Sequence, residues 1–210
     1  MDYPFDTVGL NSETIDMFDE TYKLLKSKFK VETTGNIDFH LCDFEVFREC
    51  TDVNLRGSFV IKNARTDCYV LFVEINHKEK GGPTYYPSSR YNYKDEYQVW
   101  ALAYVKKDFG RVLIRPETLA DKIIELVHPV ELDFEDDKAF SDTFYVLVND
   151  RWKADIAMDR NFRNVVMDMR HENVVIEIKD HTLIIGHRHQ VSPESSLQLA
   201  DFVARICSTC

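Results

Sequence analysis

Across residues 144–189 the apolar residues change period twice. They alternate at Phe144, Val146 and Val148. They then fall in steps of three and four through Trp152, Ile156, Phe162, Val165, Val166 and Met169. They alternate again over Val174–Lys179 and 182–189, around Asp180 and His181. Alternation puts every second side chain on one face of a strand, and the longer step makes one stripe along a helix. The segment therefore reads as strand, helix and hairpin, with Asn149 or Asp150 as the helix cap. Asp159 and Arg163 stand one turn apart, placed to pair on the face away from the stripe. These are periodicities of packing, and no catalytic signature lies among them.

The rest of the chain supplies more strands than helices. Residues 1–11 read as an extended lead-in. Ser12 caps a helix reaching about Phe29, with a stripe of Ile15, Phe18, Tyr22, Leu25 and Phe29. In 37–47 the alternation slips phase between Leu41 and Cys42, which predicts one bulged strand. Residues 59–61 and 68–75 read as a strand pair, the second covered on both faces. Further strands are expected at 98–105, 112–114 and 130–134. Pro116 is expected to open a helix buried through Leu119, Ile123 and Leu126 and ended by Pro129. Ser192, Pro193 and Glu194 start a last helix, buried through Leu199, Phe202, Val203 and Ile206.

Charge and cysteine usage exclude several classes. The formal net charge of −10 repels nucleic-acid phosphates, and the basic residues form no stripe to offset it. Lys23, Lys26, Lys28 and Lys30 gather at one helix end, where they complement the dipole. The longest unbroken apolar run, 99–105, is far too short to span a bilayer. The first twenty residues hold six acids and no Lys or Arg, unlike a secretory leader. Five cysteines, an odd number, point to reduced thiols and a cytoplasmic location. Cys207 and Cys210 have CxxC spacing at a helix end rather than a helix start, and read as frayed terminal thiols.

Two places carry candidate sites. Residues 76–96 hold two glycines, two prolines and two serines, and read as a long loop. Within it Tyr85, Tyr86, Tyr91 and Tyr93 surround Arg90, a composition favoured at protein-recognition surfaces because rigid rings give contact area at low entropic cost. The alternative is a hairpin tip whose tyrosines fold back on the sheet. His187 and His189, two apart on a strand, face the same side and form half of a zinc or iron site, which needs a third ligand such as Asp159 or another His. They also read as the polar end of the strand that carries Leu183 and Ile185. The acids at 135–137 lack the spacing and central glycine of a calcium loop and read as a solvated turn. No Gly-rich phosphate loop and no nucleophile elbow occur, and no cofactor is implied.

One further pattern is recognisable. Arg115, Pro116 and Glu117, then Leu132 to Phe134, then Phe140, Ser141, Phe144 and Tyr145, resemble a family of uncharacterised bacterial domains over residues 109–206. The resemblance implies a helix, a hairpin and a closing helix, and no catalytic residues. Many members of that family carry membrane helices ahead of the domain, and this chain shows none.

The expected architecture is α+β: a largely antiparallel twisted sheet of about eight strands with about four covering helices. It is read as a single domain over 1–210 in two halves, 1–108 and 109–210. The expected function is a non-enzymatic cytoplasmic module that binds an unidentified protein partner through the 81–97 loop and the adjacent sheet edge. The alternative is a metal-dependent hydrolase using His187 and His189. A third reading is a small ligand held between sheet and helices.

Overall fold

A computed structural model describes residues 2–35, 37–48, 50–62, 66–78, 93–116, 129–187 and 192–209. Within them are strands β1 (Val31–Thr33), β2 (Asp52–Ile61), β3 (Cys68–Lys78), β4 (Tyr93–Tyr104), β5 (Arg111–Pro116), β6 (Val130–Glu131), β7 (Phe144–Val148), β8 (Val174–Lys179) and β9 (Thr182–His187). The helices are α1 (Ser12–Lys28), α2 (Lys138–Ser141), α3 (Arg151–Ala157), α4 (Arg160–Met167) and α5 (Pro193–Thr209). All nine strands join one antiparallel sheet in the order β1-β2-β3-β4-β9-β8-β5-β7-β6. Strands from 1–108 thus occupy one side and strands from 109–210 the other. The seam between them is β4 on β9, from Trp100↔Gly186 to Tyr104↔Thr182.

Helices cover one face of the sheet. Phe18 of α1 stacks on Phe72 of β3, with ring centroids 4.3 Å apart and planes 8° from parallel. Phe5 meets both rings edge-on, so the lead-in is packed rather than loose. Burying a side chain of that size stabilises the fold by about 1.5–3 kcal/mol. Gly57 gives Phe5 room, because a Cβ there would lie 2.8 Å from Phe5 Cβ. It follows a register shift between Leu55 and Gly57, so the bulge belongs to β2. On α5, Leu199, Phe202, Val203 and Ile206 are buried as expected. Asn11 caps α1, one residue before the expected Ser12: its side chain accepts from the Thr14 N–H at 2.8 Å.

The second face is covered differently. Residues 37–47 were expected to pair as a bulged strand. Instead they form two 3-10 turns, Leu41–Asp43 and Glu45–Phe47, that lay Phe39, Leu41, Phe44, Val46 and Phe47 on the sheet. Beneath this strap lie Leu71, Val73, Trp100, Leu102, Leu113, Val175 and Ile184. The phase slip has its explanation here: the apolar residues follow the turns of the strap, not the pleat of a strand. Trp100 sits against Phe47 at 4.8 Å and donates its indole N–H to Gln98 Oε1 at 2.9 Å. Its ring occupies the space over Gly186, where a Cβ would come within 2.4 Å of Trp100 Cδ2.

The segment after β7 also departs from expectation. One long helix was read from the stripe, but the chain breaks at Met158, and Asp159 caps a new helix by accepting from the Phe162 N–H at 3.0 Å. The break turns Trp152 and Ile156 outward, to 75% and 53% exposure, while Ala154 and Ala157 face the core. Asp159 pairs with Lys107 rather than with Arg163. Arg163 is buried instead. It holds Asp136 at 2.7 Å, Asp137 at 3.1 Å and the Met158 carbonyl at 3.0 Å, with its guanidinium over the Phe134 ring. The acidic turn is therefore the anchor of a buried cation, and Asp137 also caps α2. Pro116 ends β5 rather than opening a helix; the expected helix beyond it falls outside the described residues.

Candidate functional site

The expected recognition loop is mounted on the longest hairpin ribbon of the sheet. β3 and β4 pair without a bulge from Cys68↔Ala103 to Lys78↔Tyr93. Tyr93 is the first residue of β4. Tyr85, Tyr86, Arg90 and Tyr91 lie outside the described residues. Among the described residues the β4–β9 pairs run from Tyr104↔Thr182 to Trp100↔Gly186. The sheet edge is not where the loop was expected to be: β3 and β4 are central strands, and β1 and β6 form the edges.

A buried polar network fixes the base of this ribbon. Glu74 on β3 is nearly covered, and it receives Arg56 Nη2 at 2.8 Å and Nε at 3.0 Å. The Tyr97 hydroxyl on β4 donates to the same carboxylate at 3.3 Å. Arg56 also holds Asp6 at 2.8 Å and the Val8 carbonyl at 3.0 Å. One guanidinium therefore ties β2, the ribbon and the lead-in together. Charge-assisted bonds of this kind are the strong ones, and they limit twisting of the ribbon at its root.

On the strap-covered face, Glu177 of β8 is buried, and the Val46 N–H donates to its Oε2 at 3.0 Å. The Glu45 N–H also reaches it. The carboxylate thus acts as the cap of the second 3-10 turn, from a position 131 residues away in sequence. Its Oε1 has no partner among the described residues, and burial pushes its carboxyl above the usual glutamate range. Around it Arg111 binds Glu45 at 2.6 Å and the Asp43 carbonyl at 3.0 Å, and Lys179 binds Asp43 at 2.8 Å. These contacts fasten the strap.

His187 is buried at the end of β9, opposite Val174, on the helix-covered face. His189 lies outside the described residues. Asp159 is occupied as a helix cap and by Lys107. Among the described residues no group of three or more His, Cys, Asp or Glu side chains could hold a metal ion. No helix among them is long and apolar enough to cross a membrane. A cleft of about 450 Å³ opens between the ends of α1 and α4 and the side of α5, lined by Phe29, Met169, Leu197 and Phe202 with Asp168 and Arg205 at its rim. That volume is in the range of small-molecule sites.

Cys207 was expected to fray with the terminus. It is buried in the last turn of α5, with its thiol directed at the Asp67 carbonyl at 3.9 Å, beside buried Cys68. Nothing local in the sequence marks this contact, because the two cysteines lie at opposite ends of the path through the sheet.

No family model matches the chain, and no curated protein matches it. Among solved structures the chain is similar to the crystal structure of the mycobacterial trehalose monomycolate transport factor A, TtfA. The TM-score is 0.59 over 95% of each chain, at 9% identity. At that identity the likeness is one of fold.

Proposed function

We propose that this chain is a non-enzymatic interaction module that presents the segment between β3 and β4 to a protein partner in the cytoplasm. The observation that carries the reading is the ribbon: an unbroken antiparallel pair of eleven residues a strand, from Cys68↔Ala103 to Lys78↔Tyr93, rooted by Glu74, Arg56 and Tyr97. A rooted ribbon is a rigid mount, and rigidity lowers the ordering cost of binding. Tyr85, Tyr86, Arg90, Tyr91 and Tyr93 supply the residue types that dominate interface energetics. The mycobacterial protein of similar fold is a transport factor, a description compatible with assisting other proteins.

The test is a cross-linked capture from source-cell lysate. It compares the parent with a variant carrying Tyr85→Ala, Tyr86→Ala, Arg90→Ala and Tyr91→Ala, and with one whose 81–95 segment is a short Gly-Ser linker. Both variants are first shown to keep the parent's circular dichroism and unfolding midpoint. Partners captured by the parent and lost from both variants are expected. If every partner stays bound to both variants, the loop is not the binding surface.

A further inference from the structure

α1 and α4 each pack against α5, and the cleft of about 450 Å³ opens over α5 between the ends of the other two helices. Leu197, Asp201 and Arg205, at four-residue steps on one face of α5, all line it. Its apolar lining is Phe29, Met169, Leu197 and Phe202, so two phenyl rings and a thioether surround the space. Its charges are not balanced. Arg205 is already bound to Asp168 at 2.5 Å. Lys28 ends α1, where the negative pole of the helix dipole offsets its charge. Glu172 is half-buried and Asp201 is exposed, and neither side chain has a hydrogen bond or ion pair among the described residues. A half-buried carboxylate has lost part of its hydration, and its field is screened less than that of a surface acid. An apolar cavity with such a rim favours an apolar body that carries a positive charge over the same body with a negative one.

We propose that the cleft between α1, α4 and α5 binds a small arylalkylamine, its ring against Phe29, Met169, Leu197 and Phe202 and its ammonium at Glu172 and Asp201. The ring contributes through burial against aromatic and thioether groups. The ammonium supplies N–H donors to two carboxylates that lack them, and charge-assisted bonds of that kind are stronger than neutral ones. The carboxylates thus set selectivity for charge, and the apolar lining sets selectivity for the ring. A ligand of this size is expected to bind with a Kd of about 1 mM. The described lining takes no residue from β3 or β4, so occupancy of the cleft is read independently of partner capture.

The experiment titrates the full, nitrogen-15-labelled chain with three probes that share one ring and chain and differ in the polar end: 2-phenylethylamine, 2-phenylethanol and 3-phenylpropionate. Amide shifts are followed at constant pH. The expected result is saturable shifts at Glu172, Leu197 and Asp201, with the amine bound about fivefold more tightly than the alcohol and the carboxylate weakest. Added sodium chloride narrows the gap between amine and alcohol. Glu172→Gln weakens the amine about threefold and leaves the alcohol unchanged, and Asp201→Asn does the same to a smaller extent. The proposal is overturned if the amine gives no saturable shift at these residues, if the alcohol or the carboxylate binds as tightly, or if both substitutions together leave the amine's affinity at the parent's value. Neither substitution removes a bond within the fold, and the parent's ranking of the three probes decides the outcome even if a variant fails to fold.

Discussion

The two faces of the sheet are covered by different means. On one face, helices bury a continuous apolar layer, in which Phe5, Phe18, Phe59 and Phe72 meet ring to ring. On the other, an irregular strap is held by polar fastenings: Glu177 on backbone N–H groups, Arg111 on Glu45, Lys179 on Asp43. Helices satisfy their own backbone and need only an apolar stripe to dock. A strap leaves backbone groups open, and buried side chains from elsewhere in the chain must satisfy them. The first kind of cover is strong and local in sequence; the second is specific and non-local.

Substitutions on each face separate these contributions. The largest effect is expected on the helix-covered face. Phe72→Ala removes the ring that Phe5, Phe18 and Phe59 all contact, and should cost about 3–5 kcal/mol in urea unfolding. Gly186→Ala comes next, at about 3 kcal/mol, because strand backbone on one side and a buried indole on the other leave its Cβ no space. A changed Trp100 emission at native pH would show that the indole has moved. Glu177→Ala leaves two N–H groups of the strap without an acceptor and should cost about 2 kcal/mol.

Glu177→Gln sharpens the comparison through pH. The Glu177 carboxyl is raised in the fold by burial, so its contribution to stability is fully present below about 4.5 and is lost as pH rises through the folded value. The amide does not titrate. The unfolding midpoint of the Gln variant should therefore gain on the parent as pH is raised from about 4.5 towards neutrality. A constant difference across that range would mean that burial does not raise the Glu177 carboxyl above its value in the unfolded chain. The smallest effect is expected at Trp152. Despite its size it stands in solvent, and Trp152→Ser should change stability by no more than about 0.5 kcal/mol.

The same contrast explains what the sequence disclosed. The β8–β9 hairpin, the buried alternation of β3 and the α5 stripe were legible because each is a local pattern with one period. Trp152 and Ile156 were misplaced because a helical period was carried across Met158. The available signal was Asp159, three residues before Phe162, in the position of a helix cap. Residues 37–47 were misread as a strand because alternation also arises in consecutive 3-10 turns. What fixes the strap is Glu177, and no window of sequence contains both. Arg163 was assigned to the surface because a cation is rarely buried, and its partners at 136 and 137 sit in another element. The contact of Cys207 with the start of β3 was invisible for the same reason. For the candidate site, the loop's composition was readable, but its place at the end of a central ribbon, rather than at a sheet edge, was not.

The seam has a consequence for biosynthesis. The strands of the first 108 residues assemble β1 to β4, yet α5, which packs over β3 and β4 beside α1, follows all nine strands in the sequence. Until α5 leaves the ribosome, Val70, Val99 and Ala101 lack part of their cover. Completion of the native structure should therefore wait until α5 has emerged. A nascent chain stalled before residue 193 should remain sensitive to protease and attractive to chaperones that bind exposed apolar strands.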